Sequence, residues 1–129
     1  MAKLASTCPC GSTKPYTDCC AHYVERNEAP PTAEALMRSR YTAYTFLRED
    51  YLLATWHTST RPSSLDLAAD AATKWIGLEV KRHQQLDAEH ALVEFVARYK
   101  VNGRAHRLHE VSRFVREDGR WFYVDGEVS

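Results

Sequence analysis

From residue 75 onward the chain alternates in twos. In "HALVEFVARYKV" the odd positions Val93, Phe95, Ala97 and Tyr99 are apolar while Glu94 and Arg98 stand between them, which is the pattern of a strand with one buried face. "WIGLEVKRH", "RAHRLHEVSRFVRE" and "RWFYVD" carry the same bias toward β-branched and aromatic residues. Asn102-Gly103 and Asp118-Gly119 fall between such runs and predict two tight hairpins. The expected strands cover residues 75–83, 90–101, 104–117 and 120–125, an antiparallel meander. In the third of these, Leu108, Glu110, Ser112 and Phe114 share one face and His109, Val111, Arg113 and Val115 the other, with either face able to turn inward.

Upstream the period becomes helical. Thr32, just after Pro30 and Pro31, predicts a cap for a helix over residues 33–47, with Glu34 in the first turn where the helix dipole favours an anion. Residues 51–56, "YLLATW", predict a second short helix, and residues 63–72 a weaker third. Ala33, Leu36, Met37, Ala43, Tyr44, Leu47 and Tyr51 gather on one face, as a helix packed on a sheet requires. Arg40 lands in the middle of that face, whereas Arg38 falls on the opposite, solvated side. A guanidinium in an apolar surface needs a partner, because leaving it dry and unpaired costs several kcal/mol. Glu110 would supply it if the Leu108 face turns inward; Asp125 is the second choice. Helices followed by an antiparallel meander make the fold class α+β.

Composition removes several function classes. The 17 basic residues are matched by 17 acidic ones, so no net field draws the chain to nucleic acid or to an anionic membrane. "MAKLASTCPC" lacks the apolar run of a signal peptide, and the most apolar later stretch is broken by Glu94 and Arg98. The expected location is the cytoplasm, with no membrane and no nucleic-acid partner.

In that compartment the cysteines acquire a meaning. All four lie in "TCPCGSTKPYTDCC" and none elsewhere. A C-x-C pair, eight residues, then C-C brings four thiolates from one loop, the number a closed tetrahedral structural zinc site needs. The expectation is one structural Zn2+ per chain held by Cys8, Cys10, Cys19 and Cys20, with a redox dithiol or four free thiols as the alternatives and His22 as a surface histidine. A saturated site of this kind orders a loop but leaves no position open for catalysis. Residues 1–29 are too few to bury a core of their own, so they are expected to owe their order to the metal and to stand apart from a body spanning 30–129.

Two resemblances extend the picture. "CPCGSTKPYTDCC" resembles the SEC-C zinc knuckle found at the C-terminus of the bacterial preprotein translocase ATPase, with Thr13 where the usual form has Gly and Pro15 in place of a second Lys. Together with "EALMRSRYTAYTF", "DYLLATWH", "WIGLEV", "FVARYKVNG", "HEVSRF" and "GRWFYVDG", the chain resembles the uncharacterised bacterial YchJ family. The body of that family is similar to the nuclear transport factor 2-like (cystatin-like) fold, a bent antiparallel sheet wrapped around helices to form a cone. The first resemblance implies a zinc-binding, non-catalytic interaction protein whose knuckle contacts a protein partner. The fold implies an alternative, a small-molecule-binding or acid/base cone lined by Arg40, Tyr44, Trp56, His57, Trp75, Glu110, Ser112, Phe114 and Asp125. In it His57, Glu110 or Asp125 would move protons on a ligand oriented by Arg40 and the tyrosines. No nucleophile-and-base motif, Walker loop or dinucleotide fingerprint is present, so no catalytic residue is assigned. Cavity volume separates the two: a filled cone favours the interaction protein, an open pocket the ligand-binding one.

Overall fold

The computed structural model describes residues 7–67 and 72–129. A 3-10 turn over Tyr16–Asp18 leads into a single helical turn, α1, over Ala21–Val24. The long helix α2 spans Ala33–Thr45 and begins where the sequence places it, because the Thr32 hydroxyl accepts a hydrogen bond from the Ala35 N–H at 3.0 Å. It stops before Leu47, which turns into the left-handed region at φ 57° and is 54% exposed. Leu47 thus leaves the apolar face expected of it. The short helix α3 covers Glu49–Ala54, slightly ahead of its predicted start. Of the third expected helix, residues 63–66 carry no helix and residues 68–71 lie outside the described residues.

Four strands follow, β1 over Thr73–Gln85, β2 over His90–Val101, β3 over Arg104–Glu117 and β4 over Arg120–Val128, paired antiparallel in chain order. Both hairpins form at the predicted dipeptides. Asn102 and Gly103 sit at φ 51° and 82°, Asp118 and Gly119 at 51° and 79°, the doubly positive pattern that matches the natural twist of a two-residue hairpin. Register shifts leave Ile76 and Lys81 unpaired against β2, and Val124 unpaired against β3. Each extra residue bends its strand, so the sheet curves around α2.

The Leu108 face of β3 is the inward one. Ala91, Val93, Phe95 and Ala97 from β2, Phe114 from β3 and Trp121 from β4 bury against Ala33, Leu36, Met37 and Tyr41 of α2. A second cluster lies on the other side of the helix, where Cys8, Cys10, Cys20 and Val24 meet Ala43, Tyr51 and Leu52. Leu78 touches both clusters. Helix α2 is therefore buried almost all round, which is why Ser39 and Thr42 are fully buried despite their polarity. The Ser39 hydroxyl donates to the Leu36 carbonyl at 2.8 Å and lies 2.7 Å from the Tyr51 hydroxyl, so its burial leaves no polar atom unpaired.

Candidate functional site

The cysteine loop is folded by its own backbone and then pressed onto the body. The Cys8 N–H donates to the Lys14 carbonyl and the Gly11 N–H to the Cys8 carbonyl, closing a tight turn around Pro9. Gly11 holds φ 82°, and a Cβ there would stand 2.9 Å from the Leu78 carbonyl of β1, so only glycine fits. The four sulfur atoms lie within 4.8 Å of one another, with Cys10 to Cys19 at 3.6 Å and Cys19 to Cys20 at 4.0 Å. Sulfurs around a tetrahedral ion at a metal–sulfur distance of about 2.3 Å stand ~3.8 Å apart. The donor set and its spacing therefore fit a metal ion. Cys8, Cys10 and Cys20 are buried, and His22 is turned away onto Glu28 and Arg26.

The electrostatics of the cluster suit a cation at its centre. Hydrogen bonds from Cys10 and Cys20 hold the Cys8 thiol far below its ordinary range. Cys20 is pushed far up by its bonds to Cys10 and Cys8 and then by burial. Cys10 is drawn down by Cys20, but Cys8 and burial outweigh that and raise it. Four thiolates this close repel one another unless an ion lies between them. Around the set, Ser12 Oγ lies 3.1 Å from Cys19 Sγ, and Thr42 Oγ1 lies 3.6 Å from Cys8 Sγ. Arg38 is not a solvated charge: its Nη1 donates to the Cys10 carbonyl at 2.8 Å while its Nε donates to Glu34 at 3.0 Å. Helical periodicity could not reveal this role, because it depends on the loop docking against the polar side of α2.

On the opposite side of α2 the bent sheet leaves a cavity of about 250 Å3. Met37, Trp75, Phe95, Ala97, Leu108 and Phe114 make its walls apolar, and Arg40, Tyr41, Tyr44, Glu110, Ser112 and Tyr123 bring polar groups to it. The Arg40 side chain belongs to a residue only 5% exposed. Its Nη1 donates to the Leu52 carbonyl at 2.8 Å and to Thr55 Oγ1 at 2.7 Å. The Trp56 and Tyr123 rings lie 5.0 and 4.5 Å from its guanidinium carbon, within cation–π range. Burial pulls its titration down, yet a guanidinium starts so high that it stays charged. Burial also raises Tyr41 and Tyr44, so both phenols are neutral.

The direct Arg40–Glu110 pair expected from the sequence does not form. Glu110 does line the same cavity, but its Oε2 accepts from Ser112 Oγ at 2.7 Å and from the Tyr123 hydroxyl at 3.4 Å. Gly126 makes that position available, since any Cβ there would collide with the Glu110 carboxylate. Of the other cavity candidates, Tyr44, Trp75, Ser112 and Phe114 are in the wall. Trp56 stands behind Arg40 instead, edge-on to Tyr123. His57 points elsewhere, with Nε2 2.8 Å from Glu117 and Nδ1 2.7 Å from Ser59. Asp125 lies beside Arg113, 2.6 Å from its Nε, and Arg113 is on the outer face of β3. The strand bulge at Val124 separates Asp125 from the inward set that holds Tyr123. Only Glu110 of the three proposed acid/base groups reaches the cavity.

Among the described residues no helix is long and apolar enough to cross a membrane. The sequence profile of the YchJ middle NTF2-like domain matches residues 32–126. A UPF0225 protein of Polaromonas naphthalenivorans is 54% identical, the alignment covering 96% of this chain and 98% of that one. One from Chromobacterium violaceum is 58% identical, covering 96% and 94%. The fold is similar to the solution structure of a SEC-C motif containing protein from Rhodopseudomonas palustris, at a TM-score of 0.85 and 33% identity over 96% of this chain and 99% of that one. It is similar too to the crystal structure of a SEC-C motif containing protein from Psychrobacter arcticus, at 0.81 and 32% over 100% and 86%.

Proposed function

The chain belongs to the YchJ family, with a SEC-C cysteine cluster and an NTF2-like body, and from that premise we propose that it is a small-molecule-binding protein whose zinc ion is structural. Zinc suits four thiolates at tetrahedral spacing and would hold the N-terminal loop against α2 without touching a ligand. The observation that carries the binding function is the cavity: the cone is open by about 250 Å3, bordered by aromatic walls and a buried cation. A filled core would have argued for an interaction module alone. The test is a screen of small ring compounds by amide and indole NMR, with Ala97→Leu as a variant whose larger side chain occupies the cavity. Shifts confined to cavity residues in the native protein and lost in the folded variant are expected; no cavity-centred shifts across the screen would refute ligand binding. A zinc-to-protein ratio near one by elemental analysis checks the metal.

Contact with a protein partner is a second reading, supported by the exposed rim of the loop, where Thr13, Lys14, Pro15, Thr17 and Asp18 face solvent while the sulfurs face the body. Its test is whether a partner captured by the native protein is lost on Lys14→Glu with metal content unchanged.

A further inference from the structure

We infer that the ligand of the cavity is a small ring-bearing carboxylate whose anionic group is read by Arg40. This rests on the cavity as a binding site and goes on to its chemistry. A guanidinium has five N–H donors in a rigid fork. In Arg40 only Nη1 meets acceptors from the described residues, and those acceptors are a carbonyl and a hydroxyl rather than an anion. Rings at 5.0 and 4.5 Å from its carbon flank it, so its planar edge is what remains to offer a further partner. No carboxylate among the described residues lies within 4.0 Å of it. A cation nine-tenths buried with no carboxylate in contact is costly even with Glu110 attracting it from across the cavity, and an ionised carboxylate matches its fork in both shape and charge.

The protein's own carboxylate in the cavity is held back from that edge. Ser112 and Tyr123 hold Glu110 over Gly126, where a side chain on residue 126 would evict it. Opposite charges that share one cavity are thus kept apart instead of neutralising each other. Such an arrangement leaves Arg40 free for an incoming anion, and leaves Glu110 lone pairs for a donor at the far end of the same ligand.

Size and wall chemistry define the remainder. An apolar cavity of about 150 Å3 holds benzene, and sites for drug-sized ligands run from about 300 to 1,000 Å3. A volume of about 250 Å3 takes one six-membered ring with a short acidic substituent. Met37, Trp75, Phe95 and Leu108 provide the apolar surface such a ring would lie against.

The test titrates the full-length, metal-loaded protein with phenylacetate, benzyl alcohol and benzylamine, three probes of one shape and three charges, following the Trp75 and Trp56 indole N–H signals. Phenylacetate is expected to bind roughly tenfold or more tightly than benzyl alcohol, since only the acid pairs with the guanidinium. Benzylamine is expected to bind weakest of the three. Arg40→Lys, which keeps the charge but removes the fork, should weaken phenylacetate roughly tenfold and benzyl alcohol much less. The three-probe comparison needs no variant, so it stands even if that substitution unfolds the chain. Equal affinities for phenylacetate and benzyl alcohol would overturn the anion assignment while leaving the cavity a binding site. Absence of binding by all three at millimolar concentration would overturn both.

Discussion

Thr13 holds φ at 71°, in the left-handed region that a β-branched residue enters only under strain. The usual SEC-C form has Gly at this position, so Thr13→Gly should relieve strain of about 1 kcal/mol, less the added entropy of an unfolded glycine. Denaturant titration of the metal-loaded protein should show a small net gain in stability. Gly11 is the opposite case: Gly11→Ala adds a Cβ at φ 82° that meets the Leu78 carbonyl, and should cost about 2 kcal/mol or more in the same titration. Tyr51 gives a pH dependence. Burial pushes its phenol up to about 12 from an unfolded value of 10.0, and the residue is 7% exposed. Its folded state prefers the neutral form, so its contribution is fully present below pH 10 and is lost as pH rises from about 10 through 12, on the order of 2–3 kcal/mol. Tyrosinate absorbance should therefore rise together with unfolding, and Tyr51→Phe should flatten that part of the stability profile. Of these residues the sequence announces Gly11, the oddity of Thr13 and the inward placement of Tyr51, but not the hydrogen bond that Tyr51 makes. Its partner Ser39 sits on a helix side that no apolar stripe marks.

At the scale of elements, the reach of a metal held by the four cysteines would be set by what α2 touches. The sequence suggests a knuckle that would disorder alone once its ion is lost. In the structure the cysteine loop shares a core with α2 and α3 through Val24, Ala43, Tyr51 and Leu52, and Arg38 ties the Cys10 carbonyl to the helix. Chelation should therefore loosen more than the loop. Amide exchange should show α2 and α3 losing protection along with residues 7–24, and thermal stability should fall by about 4 kcal/mol from a state with free zinc at a thousandfold its dissociation constant. Protection in the β2–β3 hairpin should change least. Unchanged exchange in α2 would mean the loop is a passenger. The strands were legible because alternation and two turn dipeptides are local signals, and α2 because Thr32 caps it. The docking of the loop was not, since it depends on surfaces brought together only by the finished fold. The same holds for Glu110: the pattern of β3 left its face open, and its place follows from the room that Gly126 leaves on a neighbouring strand.

For the whole molecule, one helix serves two sites on its two sides. Arg40 faces the cavity, while Arg38 and Thr42 face the cysteines, all within a single turn or so of α2. A helix buried on both sides tolerates little rotation, because turning either site away would bury a charge or open a void. The outer face of the sheet carries the charges that the core excludes. Glu94 there lies 2.7 Å from His109 and 3.6 Å from Arg82, and Arg113 lies beside both Asp125 and Glu127. Such exposed pairs contribute little each, so the stability of the protein rests on the two cores.

The strand order β1-β2-β3-β4 has a kinetic consequence. Every pairing in the sheet joins sequence neighbours, two of them across tight turns, so the meander can zip up with short loop closures and form early. The cysteine loop comes first in the chain but docks on Leu78 and α3, so its burial must wait for partners that are made later. Interactions absent from the transition state slow unfolding without speeding folding. In stopped-flow experiments the metal-loaded and chelated proteins should therefore refold at similar rates, while the loaded protein unfolds far more slowly. The ion would then act as a latch on a finished fold rather than as a seed for it.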